Sequence, residues 1–98
     1  MILWIDDVRP APKGEYIWAK STNTAIDWLQ RFSGMGMITG IDIDHDAGDY
    51  ANDGGDFIKV LDWMEEHGVN LPVHVHSMNP VGANNMYKIC MKNGWRIY

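Results

Sequence analysis

The chain has 98 residues, 46% of them hydrophobic and 21% charged, with a net charge of −5. That is one domain's worth of chain, so residues 1–98 are read as a single domain. No apolar run approaches the roughly 20 residues that span a bilayer, and the acidic balance offers duplex DNA no attractive field. A lone cysteine, Cys90, excludes a disulfide framework and a multi-cysteine zinc site and points to the reducing cytoplasm. The opening stretch lacks a positive region and soon meets Asp6-Asp7, so no signal peptide is predicted.

Residues 2–5 form an apolar run ending at Asp6-Asp7, the pattern of a buried strand. Two prolines and a glycine punctuate residues 9–14, which cannot be regular structure. Residues 16–19 are rich in strand formers. Ser21-Thr22-Asn23 offers helix caps, and Ala25, Ile26, Trp28, Leu29 and Phe32 then recur at helical spacing, with a stop near Ser33-Gly34. Residues 37–43 read as another buried strand, and residues 45–55 as a polar loop. Phe57, Ile58, Val60, Leu61 and Met64 make a helical stripe closed by His67-Gly68. Residues 73–76 read as a strand. A helix then opens at or just after Pro80 and runs to Asn93-Gly94, and residues 95–98 form a last strand. This alternation predicts a five-stranded parallel sheet covered by helices on both faces, a three-layer α/β/α domain whose first crossover is a loop.

In open sheets of this kind ligands sit outside the C-terminal strand ends. Three polar clusters fall there: Asp6-Asp7, Asp44-His45-Asp46, and His76-Ser77 with Asn79. Carboxylates grouped in this way suit Mg²⁺ or another hard divalent ion; the competing reading is a turn whose aspartates cap backbone N–H groups. Asp42 shares a strand face with Asp44 but lies deeper, and is read as structural, with a role such as bonding a neighbouring loop. His74 in mid-strand is likewise read as structural. His76, at the strand end, is the better general acid or base. Ser77 lacks the context of a covalent nucleophile. The acidic residues between Asp46 and Asp56 lack the spacing of a calcium loop. The turn from Asn79 to Asn85 opens a helix whose free N–H groups suit an anion. Arg9 either grips phosphate there or is a solvated loop charge.

With these residues laid out, the chain resembles the receiver domains of two-component signalling in its βα order, its acidic pair Asp6-Asp7 and its Asp44. In receivers such residues hold Mg²⁺ and accept a phosphoryl group. The receiver lysine near the end of the last strand is missing, because residues 95–98 read Trp-Arg-Ile-Tyr and Lys59, Lys88 and Lys92 fall in helices. A narrower resemblance covers nearly the whole chain. It is similar to the cyclic-phosphate-processing receiver-like family of small bacterial and phage domains. The matching strings are Leu3-Trp4-Ile5-Asp6-Asp7-Val8-Arg9-Pro10-Ala11-Pro12, Ile43-Asp44-His45-Asp46, Gly54-Gly55-Asp56, and the long run from His74-Val75-His76-Ser77 to Asn84-Asn85-Met86.

The resemblance implies a receiver-like, flavodoxin-like fold with a reduced first helix. It also implies a metal-assisted phosphoesterase acting on a cyclic phosphate, either a 2′,3′-cyclic RNA end or a cyclic nucleotide. Under it Asp6, Asp7 and Asp44 hold Mg²⁺ or Mn²⁺. His76 or His45 moves the proton, with Asp44 beside them, and Arg9, Ser77, Asn79 and Asn84 grip phosphate. One alternative is a non-enzymatic module that sequesters a cyclic nucleotide, such as a phage protein blunting a host signal. Another is an atypical receiver used only for protein contacts. The expected partner is a small phosphate ligand or an RNA end, with no membrane and no duplex DNA.

Overall fold

The computed structural model describes residues 1–98. In chain order the elements are β1 (Ile2–Ile5), β2 (Tyr16–Ala19), α1 (Thr22–Phe32), β3 (Gly40–Ile43), α2 (Ile58–His67), β4 (Val73–Val75) and α3 (Pro80–Asn93). Short 3₁₀ turns at Ser33–Met35 and Gly48–Tyr50 follow α1 and β3. The ends of α1 and α3 follow their caps. The Ser21 hydroxyl accepts from the Thr24 N–H, and Asn79 accepts from the Gly82 N–H with Pro80 in the first helical turn. No helix is long and apolar enough to cross a membrane.

The four strands are all parallel, in the order β2-β1-β3-β4. Two expectations need correction. First, the sheet has four strands rather than five. Residues 95–98 meet β4 only through an isolated bridge between Val73 and Ile97. The turn at Gly94 brings these residues back to β4, but the Arg96 carbonyl and the Tyr98 N–H both pair with the single residue Val73. Similarly, β3 begins at Gly40 and not at Met37, because the Thr39 N–H is taken by the Met1 carbonyl.

Second, the domain has two main layers, not three. Alternation along a strand sends successive side chains to opposite faces. Leu3, Ile5, Ile41, Ile43, Val73 and Val75 therefore share one face. They form a single core cluster with Ala25 and Leu29 of α1, Val60, Leu61 and Met64 of α2, and Met86 and Cys90 of α3. All three helices thus pack on that face. The β1–β2 crossover, which would have put a helix on the other face, is the proline-broken loop. The opposite face carries Trp4, Tyr16, Trp18, Asp42 and His74, screened by their own rings and by the loop after β1. The Trp4 indole donates to the Arg9 carbonyl, and its ring meets Tyr16 edge-on at 6.1 Å.

The start of α1 also anchors the loop between β3 and α2. The buried Ser21 hydroxyl lies 2.5 Å from Asp53 Oδ2, and the Asn23 backbone and side chain both donate to Asp53. Ser21→Ala removes the helix cap and this tie together. It is expected to lower unfolding free energy by about 1–2 kcal/mol, read as a lower urea midpoint at an unchanged denaturant slope.

Candidate active site

The parallel ladder continues one residue past three strands, with the Asp6 N–H bonded to Ala19 O, Asp44 N–H to Ile5 O and His76 N–H to Ile43 O. Three residues distant in sequence are thereby set side by side at the C-terminal edge of the sheet. Their side chains and those of their neighbours form two connected groups.

The first group is a clamp around the His76 ring. Its Nδ1 lies 2.5 Å from Asp42 Oδ1, and its Nε2 lies 2.9 Å from Asp6 Oδ2. Ionised carboxylates only accept hydrogen bonds, so both ring nitrogens carry protons when both bonds are made. The Trp4 indole stacks on the ring at 4.1 Å between centroids and 7° between planes. Burial alone pulls the imidazole pKa down, but the hydrogen bonds and charges of Asp42 and Asp6 outweigh it and hold the pKa above the ordinary histidine value. Burial likewise pushes the Asp6 carboxyl up. The N–H groups of Arg9 and Val8, at 2.8 and 3.0 Å from Oδ1, together with His76, more than reverse this and leave its pKa lowered.

The second group is acidic. Asp6, Asp7 and Asp44 each place a carboxylate oxygen within 4.8 Å of the others. The pKa of Asp7 is raised, first by burial, against its own backbone hydrogen bond, and then by the charges of Asp6, Asp44 and Asp49. Gly48, at φ +54°, lets the loop close over Asp7; a Cβ at that position would collide with the Asp7 carboxylate. An all-oxygen donor set under mutual repulsion fits a hard divalent cation. No lysine or arginine pairs with it, since the ion pairs of such residues are Arg31–Asp27 and Lys92–Glu65, both elsewhere.

His45 stands next to this cluster. Its Nδ1 lies 2.8 Å from Asp46 Oδ1, its other ring nitrogen makes no hydrogen bond, and Asp56 brings a carboxylate oxygen within 4.8 Å of both. The hydrogen bond from His45, against some burial and helped by Asn79, lowers the Asp46 pKa. The ring rests on α3 at Gly82, where any Cβ would overlap it.

The residues expected to grip phosphate are less gathered than the sequence suggests. Asn79 is spent on structure: its Oδ1 caps Gly82 and its Nδ2 donates to Asp46 at 3.4 Å. Its carbonyl also takes the Ala83 N–H, and Pro80 has none, so the first turn of α3 keeps one free donor, the Val81 N–H. This corrects the expectation of a ready anion site. Ser77 Oγ accepts from the Asn79 N–H and keeps its own proton free to donate. Arg9 is exposed, with a side chain that makes no hydrogen bond, and Asn84 is exposed on α3 without one. Asp42, expected in a structural role, finds its partner in the His76 ring just past the end of β4. His74 bonds the Tyr98 carbonyl on the helix-free face. The sequence reading left out Trp4 as the platform under His76, although its spacing from Asp6 places both on one strand face. It also left out Asp56, whose place beside His45 depends on the fold of the loop.

The family model described as "Cyclic-phosphate processing Receiver domain" matches residues 1–92. No curated protein and no solved structure matches the chain.

The clamp makes stability depend on pH in a defined way. The pKa of His76 is raised on folding, so its contribution is complete below the unfolded value near 6.5 and is lost as pH rises through the folded value. That of Asp6 is lowered, so its contribution holds above the unfolded value near 3.8 and is lost as pH falls through the folded value. In chelator, wild-type stability is expected to decline as pH rises from the unfolded value near 6.5 through the raised folded value. His76→Gln should be less stable at pH 6 and lack that decline. Parallel declines in urea melts of the two proteins would refute the assignment.

Proposed function

We propose that this chain, which belongs to the cyclic-phosphate processing receiver domain family, is a metal-assisted phosphoesterase that opens a cyclic phosphate on a 2′,3′-cyclic RNA end or a cyclic nucleotide. One observation carries the reading. Three carboxylates from two strand ends converge beside a histidine that has one nitrogen bonded to an aspartate and the other free, in a family named for cyclic-phosphate processing.

Asp6, Asp7 and Asp44 would hold Mg²⁺ or Mn²⁺. Such an ion, when bound, polarises phosphoryl oxygens and offsets the repulsion seen at Asp7. His45 is the residue free to move a proton. Its Nδ1 is tied to Asp46, which orients the ring, and its unbonded nitrogen can take a proton from the attacking water. As the water oxygen bonds to phosphorus, the ester P–O bond breaks and the released sugar oxygen takes up that proton. The His76 ring has both nitrogens engaged, so it serves the site by holding Asp6. The Ser77 hydroxyl, the Val81 N–H and the free Arg9 side chain are the donors for phosphate oxygens, and Asn84 lies further along α3. No lysine pairs with Asp44, which argues against the phosphoacceptor chemistry of signalling receivers.

The test is turnover of a panel of 2′,3′-cyclic and 3′,5′-cyclic nucleotides and a cyclic-ended oligonucleotide with Mg²⁺ or Mn²⁺. His45→Ala should lower the rate about 10²- to 10⁴-fold and leave ligand affinity within a few-fold. In thermal melts Mn²⁺ should raise the wild-type Tm and leave that of Asp44→Asn nearly unchanged. A wild type that binds a cyclic nucleotide and returns it intact with either metal would replace this reading with sequestration.

A further inference from the structure

We propose that Asp42 is a positioning residue for the acidic cluster: acting through the His76 ring, it fixes where the Asp6 carboxylate points. The inference rests on the reading of Asp6, Asp7 and Asp44 as the metal-holding group. Asp42 itself makes no hydrogen bond to the cluster. It lies in the body of β3 on the helix-free face and is only 9% exposed. Burying a carboxylate in mid-strand is costly unless it is paired, and its side-chain partner is His76 Nδ1.

The connection does not stop there. The far side of the same ring reaches Asp6 Oδ2 at 2.9 Å. Hydrogen bonds at opposite edges prevent the ring from turning in its own plane, and the parallel Trp4 indole prevents it from tilting. Trp4 is pinned in turn through its indole N–H to the Arg9 carbonyl. Asp6 meets this ring from a main chain that is also held, since its carbonyl accepts from the Trp18 indole and its Oδ1 from two N–H groups. Asp6 is therefore tied at both carboxylate oxygens, whereas the one side-chain hydrogen bond of Asp44 is to the adjacent His45 N–H. Asp6 is the fixed member against which the other carboxylates are placed. Partners of this kind, one step behind a metal ligand, typically change metal affinity 10- to 100-fold when removed.

The experiment is a double-mutant cycle on the full chain with Asp42→Asn, His76→Gln and the pair. Mn²⁺ affinity is read by calorimetry, and the Val8 and Arg9 amide resonances are read by NMR without metal. Asn keeps the size of Asp42, so folding can be checked on a near-isosteric variant. Asp42→Asn should weaken Mn²⁺ binding about tenfold and shift both amides, which donate to Asp6. The pair should be no worse than His76→Gln alone, because Asp42 acts only through the ring. An Asp42→Asn protein that is less stable yet binds Mn²⁺ within twofold of wild type, with both amides unmoved, would show a merely structural ion pair. Additive losses in the pair would show that Asp42 acts by another route. A wild type that binds no Mn²⁺ overturns the metal reading alone. The two amides then decide the proposal: shifted as in His76→Gln they support it, unmoved they overturn it.

Discussion

The hydrogen-bonded line from Asp42 through His76 to Asp6 is the constraint on which the C-terminal edge of the sheet depends. It crosses three neighbouring strands on one face, and its two bonds join residues 34 and 70 positions apart in sequence. A buried carboxylate or a buried imidazolium alone carries a large desolvation penalty. Together they satisfy each other, and the charge that remains sits at the sheet edge among Asp6, Asp7 and Asp44. The clamp thus does two things with one ring. It makes a charged residue tolerable in the middle of β3, and it gives the acidic cluster one member that cannot swing away.

The two-layer architecture explains why the clamp lies where it does. Parallel sheets usually have helices on both faces. Here the loop after β1 replaces one covering helix, and its main chain supplies the contacts a helix would have supplied by packing. The Val8 and Arg9 N–H groups bond Asp6, and the Arg9 carbonyl bonds Trp4. The second face is therefore polar and aromatic. It holds a charged bridge under an indole, where a helix-covered face would hold only aliphatic side chains.

Close backbone approach shapes the rest of the site. At Gly48 the loop after β3 closes on Asp7, and at Gly82 the first turn of α3 closes on His45. The two contacts bring that loop and α3 against the acidic cluster and the His45–Asp46 pair. They also account for the modest share of α3 in anion binding, since the same turn is occupied by Asn79 capping Gly82 and reaching Asp46.

The sequence by itself determined what depends on near neighbours. Apolar runs marked the strands, Ser21 and the Asn79-Pro80 pair marked helix starts, and Gly68 and Gly94 marked helix ends. The gathering of the acidic and histidine residues at one edge was legible because every strand of a parallel sheet ends on the same edge. The family was legible from the long run after His74. Tertiary structure alone decided which of those residues touch. Asp42 meeting His76 requires the register between β3 and β4, and Trp4 under that ring requires β1 and β4 to flank β3. Neither register is encoded within a single strand. The number of layers was hidden for a related reason. Trp4 and Trp18 suit a strand whichever face they occupy, and only the side taken by each crossover shows that all three helices fall on the other one. The fifth strand failed on geometry that composition does not carry, because residues 95–98 have strand-forming side chains but reach β4 at a single bridge.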